Sequence, residues 1–128
     1  MGWYNQANIN ELIGKTLTKV DDSSEYELKF YTDDNKIYRM YHEQDCCESV
    51  YIEDICGDLN DLLGTPIVMA EEVVEDGEAK DKWDESWTWT FYKFATAKGY
   101  VTIRWYGTSN GYYSEGVDFE EVTKEYKN

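Results

Sequence analysis

The least common reactive side chains of this sequence lie close together. His42 is the only histidine, Cys46 and Cys47 follow it closely, and the third cysteine is Cys56. A cysteine thiolate activated by a histidine is a nucleophile that many enzymes use, and four nitrogen or sulfur ligands are what a tetrahedral zinc ion requires. The segment therefore offers two kinds of chemistry, a Cys–His enzyme or a zinc site.

The neighbouring residues argue against both. Glu43, Asp45 and Glu48 flank the cysteines, and nearby negative charge disfavours the thiolate that either chemistry needs. Adjacent cysteines are poorly placed to ligate one metal ion, and no pair of CxxC motifs is present. We therefore expect no catalytic residue, no bound metal and no cofactor, with His42 making local hydrogen bonds.

A second feature is the uneven distribution of charge. The chain carries 27 acidic and 12 basic residues, a net charge of −15, and residues 43–85 alone hold 15 acidic and 2 basic residues. This balance excludes direct binding of nucleic acid through its phosphates. It indicates either a solvated loop or a surface for a basic partner protein. The candidate contact residues of that surface are Glu71, Glu72, Glu75, Asp76, Glu78, Asp81, Asp84 and Glu85.

Two further loops, residues 42–48 and 107–115, hold the most unusual sequence. A small ligand, such as a nucleotide signal, could bind between them if the fold brings them together near Arg104. The aromatic residues around them are typical of the core of an antiparallel sheet. The candidate residues of this loop site are His42, Asp45, Cys46, Cys47, Glu48, Arg104, Tyr106, Asn110 and Tyr112.

The elements that must position these residues are mostly strands. Alternating apolar residues predict strands at 25–30, 37–42, 49–53, 66–73, 87–91, 100–106 and 112–119. Two short helices are predicted at 9–13 and 58–63, because each has a capping residue before it and a glycine after it. The expected fold class is α+β, mostly antiparallel β with two short helices.

The order of these elements suggests an internal duplication. Residues 11–17 resemble residues 61–67, and residues 48–54 resemble residues 115–121. Two pseudo-symmetric halves, 8–54 and 58–121, would each consist of a helix and four strands. An acidic insertion at about 74–85 accounts for the greater length of the second half.

The length of 128 residues fits one domain, residues 1–128. No run of about 18 apolar residues is present, so we expect no membrane span. The first residues lack the basic and apolar regions of a signal peptide. Three cysteines make no disulfide framework, and a cytoplasmic location is expected.

Two blocks of sequence, residues 40–67 and 89–117, resemble a family of small phage and prophage proteins described as a domain of unknown function. The first block contains HEQDCCE, the second contains GYVTIRWYG, and the likeness extends over residues 11–121. The resemblance implies origin in a phage or mobile element and action inside a bacterial host cell. It implies no activity.

The leading hypothesis is a non-enzymatic, phage-type acidic protein that binds a basic surface of a host protein. Carboxylates that lie where phosphates would lie can block a nucleic-acid channel, so an inhibitor of a bacterial defence system is one form of this hypothesis. The alternatives are a protein that binds a small ligand or nucleotide signal, and a Cys–His enzyme. The sequence leaves the partner, the host and the oligomeric state open.

Overall fold

The computed structural model describes residues 4–43, 47–111 and 114–122, and within these ranges it contains nine strands. The alternation of more and less buried side chains that a half-buried sheet requires is clear in the third strand and in parts of the seventh and eighth. The strands are Tyr4–Gln6 (β1), Leu17–Ser24 (β2), Glu27–Thr32 (β3), Ile37–Tyr41 (β4), Ser49–Cys56 (β5), Met69–Glu75 (β6), Ser86–Thr96 (β7), Gly99–Ser109 (β8) and Asp118–Val122 (β9).

The strands form two antiparallel sheets that enclose one apolar core. Sheet A has the order β1-β9-β4-β3-β2, and sheet B has the order β5-β8-β7-β6. The inner faces meet where the rings of Phe30 and Phe94 lie 5.7 Å apart. Trp105 is fully buried in this core, and its indole nitrogen lies 3.3 Å from the sulfur of Met40. The two layers are therefore joined by aromatic packing across the centre.

Each half of the chain gives its last strand to the other sheet. The first half supplies β2, β3 and β4 to sheet A, but its fourth strand, β5, pairs with β8 in sheet B. The second half supplies β6, β7 and β8 to sheet B, but β9 pairs with β4 in sheet A. The exchange is reciprocal. The connections from β4 to β5 and from β8 to β9, which we call the crossing loops, therefore lie at the same end of the two sheets.

A second reciprocal contact joins the segments before β2 and before β6. The Gly14 amide donates to the carbonyl of Ile67 at 2.7 Å, and the Gly64 amide donates to the carbonyl of Leu17 at 3.0 Å. The two bonds are equivalent under an offset of 50 residues: Gly14 corresponds to Gly64, and Leu17 corresponds to Ile67. This is the offset that the sequence suggested for the duplication. The pattern is what an internal duplication predicts, and the duplication itself stays a prediction.

The predicted α+β class is wrong, because the described residues contain no α-helix and the protein is nearly all β. The two predicted helices are single 3₁₀ turns, Ile9–Leu12 and Leu59–Leu62. The capping residues Asn8 and Asp58 bond the turns as expected. A glycine with positive φ lies two residues after each turn, at Gly14 and Gly64. Four residues leave too little chain for α-helical hydrogen bonds.

Several strand boundaries also differ from the prediction: β6 begins at Met69 and not at residue 66, and β7 extends to Thr96 and not only to residue 91. Strand β2 was not predicted, because polar residues such as Lys19 and Asp22, which are exposed, interrupt the apolar alternation of its sequence. The predicted strand at 112–119 begins only at Asp118, and residues 114–117 are irregular. The hairpin of β3 and β4 is confirmed, with Phe30 opposite Tyr38. Nowhere in the described ranges does a helix reach the length and hydropathy of a membrane span.

Candidate functional site

The first two residues of the predicted acidic insertion, about 74–85, end strand β6, and the remainder, residues 76–85, forms a segment that we call the acidic strap. It connects β6 to β7 and folds back over the outer face of sheet B. The indole nitrogen of Trp89 donates to the carbonyl of Glu78 at 2.8 Å, and that of Trp87 donates to the carbonyl of Gly77 at 3.3 Å. A Cβ at Gly77 would lie 2.7 Å from the Trp89 ring, so only glycine permits this approach.

The second part of the strap is held by Tyr106 on β8. The Tyr106 hydroxyl accepts the Lys80 amide at 2.9 Å and donates to the Asp84 carboxylate at 2.6 Å. Burial, followed by the bond to Asp84, raises the pKa of Tyr106 to about 12. The Lys80 ammonium reaches Tyr51 and Glu53 on β5, each at 3.3 Å. The strap is thus tied to both β8 and β5.

The strap and the neighbouring strand β6 present a row of carboxylates to solvent. Strand β6 is the edge of sheet B, and it continues directly into the strap. The only half-buried candidate is Asp84, which bonds Tyr106. Glu72 is exposed but accepts the Tyr92 hydroxyl at 2.7 Å. The exposed candidates are Glu71, Glu72, Glu75, Asp76, Glu78, Asp81 and Glu85.

The strap also exposes a large aromatic side chain that the sequence reasoning did not select. Trp83 is 77% exposed. Its amide donates to the Asp81 side chain at 3.0 Å, and the Asp84 amide donates to the Asp81 carbonyl at 3.0 Å. The backbone around Trp83 is therefore fixed by a local turn. The position of a tryptophan within a run of charged residues was the sequence signal that could have selected Trp83.

The outer face of sheet B beneath the strap is aromatic and carries one arginine. Arg104 donates to Glu53 at 2.6 Å and lies 3.4 Å from Asp54. Its guanidinium lies 5.7 Å from the centre of the Trp89 ring. The bond to Glu53 raises the pKa of Arg104 further above its usual value. Arg104 and Tyr106, two candidates of the loop site, thus belong to the face under the strap.

The two crossing loops meet around His42, whose ring contacts Gly116 of the second loop. The side chain of His42 is 4% exposed, and that of Glu48 is 2% exposed. Nδ1 of His42 lies 2.7 Å from the Gly116 carbonyl, and Nε2 lies 2.9 Å from Glu48 Oε2. The carbonyl can only accept, so Nδ1 carries a hydrogen, and the Nε2–Oε2 contact needs a second proton between the two side chains.

The second loop has a buried hydrogen-bond cluster of its own. Glu115 accepts the hydroxyls of Thr88 at 2.7 Å and Ser109 at 2.6 Å. Burial opposes ionisation of Glu115, but the bonds from Ser109, Ser86 and Thr88 outweigh it and lower its pKa. A Cβ at Gly107 would lie 2.5 Å from the Glu115 carbonyl oxygen. Glu115 is thus a fixed anchor of the loop.

The structure brings together only part of the predicted loop site. It joins His42 and Glu48, and it places Asn110 at the end of β8. Asp45, Cys46 and Tyr112 lie outside the described residues. Partial burial raises the pKa of the neighbouring Asp118, with opposing contributions from His42 and Glu43.

The described residues do not form the Cys–His pair or the zinc site that the sequence allowed. Oxygen atoms of Gly116 and Glu48 engage both ring nitrogens of His42. Cys56 is an exposed free thiol whose sulfur lies 3.7 Å from Asp54. Among the described residues, no group of three or more histidine, cysteine or acidic side chains could hold a metal ion.

A family model described as "Domain of unknown function (DUF7448)" matches residues 10–119. The chain belongs to this family. The part that matches the DUF7448 model contains the strap and both crossing loops, and it leaves out β1 and the end of β9. No curated protein and no solved structure matches the chain. Membership in DUF7448 therefore confirms the predicted family of unknown function and assigns no activity.

Proposed function

We propose that this chain is a non-enzymatic binding protein whose acidic strap and edge strand β6 engage a basic surface of a partner protein. The observation that carries the proposal is Trp83, which is 77% exposed on an ordered, carboxylate-bearing segment. Tryptophan is enriched among the few residues that dominate binding energy at protein interfaces. The backbone on both sides of Trp83 is held by a local turn, so the exposed indole is presented from a defined position on the strap.

The order of the strap supports the proposal. Four hydrogen bonds from Trp87, Trp89, Lys80 and Tyr106 fix the strap on sheet B before any partner arrives. A segment that is already ordered loses little conformational entropy on binding. The carboxylates of β6 and the strap supply long-range attraction to a positive surface, within a Debye length of about 8 Å at physiological salt.

The proposed partner is a protein with a basic channel or groove of the kind that binds nucleic acid. Carboxylates along an extended edge can occupy positions that phosphates would take. The resemblance to phage and prophage proteins adds a host protein, such as a component of a bacterial defence system, to the proposal. Occupation of its groove would inhibit that protein by excluding its nucleic acid.

The test begins with capture of proteins from bacterial host lysate, followed by binding kinetics with each purified partner. Trp83→Ala should weaken binding by about 30-fold, because loss of a central aromatic contact costs about 2 kcal/mol. Neutralisation by E71Q, E72Q, E75Q, D76N and E78Q should slow association and reduce its dependence on salt. Circular dichroism should show both variants folded.

Two matched controls separate the strap from general surface effects. Tyr100, the second residue of β8, is 76% exposed, so Tyr100→Ala removes an equally exposed aromatic ring from another place. Glu25→Gln with Asp33→Asn removes exposed charge from sheet A. Both controls should bind like the wild type. Unaltered affinity of the neutralised variant at low salt would refute the proposal.

A further inference from the structure

A small, shallow cavity that is open to solvent lies between the strap and the outer face of sheet B. Its volume is about 250 Å³, and it is lined by Glu75, Gly77, Glu78, Trp89, Phe91 and Arg104. Glu75 is directly opposite Trp89 in the register of β6 and β7, so both side chains stand on the outer face. The cavity thus combines two aromatic rings with residues that carry negative charge.

The charges around the cavity favour a cation. Glu75 and Glu78 belong to its lining and are exposed. Its one basic residue, Arg104, is already paired with Glu53 and Asp54. The local balance is therefore negative even with Arg104 included. An anionic ligand, such as a nucleotide phosphate, would meet repulsion from these carboxylates.

The aromatic rings favour a planar cation in particular. The guanidinium of Arg104 already lies over the Trp89 ring, which shows that this face accepts such a group. Guanidinium groups stack on aromatic rings and form paired bonds with carboxylates, whereas an ammonium does not form such paired bonds. Phe91 lines the same cavity, and its ring lies 6.4 Å from that of Trp89.

We infer that this cavity binds the guanidinium of an arginine side chain from the basic partner. This inference rests on the proposed function and adds the chemistry by which the partner is recognised. The guanidinium would stack against Trp89 and Phe91, and the carboxylates of Glu75 and Glu78 would attract its positive charge. The strap then has two roles, to attract a basic surface and to form one wall of a site for a single side chain.

The test is an NMR titration of ¹⁵N-labelled protein with N-acetyl-arginine-methylamide. The indole N–H of Trp89 donates to Glu78, so occupation of the cavity should shift its resonance. The indole of Trp83 is exposed outside the cavity lining and serves as an internal reference. N-acetyl-citrulline-methylamide, which has nearly the same shape without the charge, should bind about tenfold more weakly.

Two variants and a matched control complete the design. Phe91→Leu removes one aromatic wall, and Glu75→Gln removes one charge, so each should weaken the arginine compound roughly two- to fivefold. Glu25→Gln, an exposed carboxylate between β2 and β3 that is outside both the cavity lining and the proposed contact surface, should change nothing. Equal binding of the citrulline and arginine compounds, or equal shifts of Trp83 and Trp89, would overturn the inference.

The two proposals fail in different ways. If the arginine compound leaves the Trp89 resonance unmoved while the neutralised strap still loses its partner, the cavity inference is wrong and the proposed function stands. If the compound binds selectively while the neutralised strap keeps full affinity for the partner, the cavity inference stands and the proposed function is wrong.

Discussion

The buried pair of His42 and Glu48 gives a direct test of how the crossing loops are stabilised. Replacing His42 with phenylalanine keeps an apolar ring of similar size but removes the hydrogen bond at 2.9 Å to Glu48. The Glu48 side chain, 2% exposed, stays out of water. Loss of one partner from a buried hydrogen bond typically lowers the free energy of unfolding by about 1–3 kcal/mol, and we expect a loss of about 3 kcal/mol for this fully buried pair.

The size of this loss can be read from urea unfolding. With a slope of about 1.5 kcal/mol per molar urea, a loss of about 3 kcal/mol moves the midpoint down by about 2 M. The double variant with Glu48→Leu should recover much of the stability, because both polar partners are then absent. A milder variant, Glu48→Gln, keeps a polar partner for His42 and should lower the free energy of unfolding by only about 1 kcal/mol.

A double-mutant cycle decides whether the pair acts as a unit. The variants His42→Phe, Glu48→Leu and the double variant should give a coupling free energy above about 1 kcal/mol. The reasoning is refuted if His42→Phe shifts the midpoint by less than the error of the extrapolation, or if the two single losses add. The slope should stay constant across the series, since the exposed area on unfolding is unchanged.

Two more predictions concern the loops and turns. The pKa of Glu115 is lowered in the folded state, so its contribution to stability is complete above its ordinary value of 4.5 and is lost as pH falls through the folded value. Unfolding between about pH 5 and pH 3 should therefore be less pH-dependent in Glu115→Gln than in the wild type; an unchanged dependence would contradict this. Gly57→Ala should destabilise by about 1–3 kcal/mol more than Gly14→Ala in urea. Both glycines have positive φ, but a Cβ at Gly57 would lie 2.5 Å from the Tyr100 carbonyl oxygen, whereas the space at Gly14 is open. Equal losses would refute that assignment.

The sequence predicted the strands where side-chain alternation is strong. Leu28 and Phe30 marked β3 and are buried, whereas Tyr26, which was expected to face the core, precedes the strand and is 49% exposed. The aromatic alternation from Trp87 marked β7, but those rings lie on the outer face, and it is Thr90, Tyr92 and Phe94 that face the core. The two helices were predicted wrongly, since a cap and a following glycine define the ends of a helix and not its type. Only the four-residue length of Ile9–Leu12 decides for a 3₁₀ turn.

The candidate site was predictable in composition and not in geometry. The run of acidic residues located the strap, but the bonds from Trp89 to Glu78 and from Tyr106 to Asp84 join separate parts of the chain. The proximity of His42 and Glu48 follows from their spacing, whereas the contact of His42 with Gly116 spans 74 residues. Such contacts depend on the exchange of β5 and β9, for which no local pattern gives a signal.

The reciprocal exchange of β5 and β9 has a consequence for how the chain acquires its fold. Sheet A is incomplete until β9, near the end of the chain, pairs with β4, and sheet B is incomplete until β5 pairs with β8. Neither half can therefore complete a sheet by itself. Most pairings between the halves have to wait for closure of long loops, which slows folding. Unfolding should proceed as one transition, because loss of either exchanged strand opens both layers together.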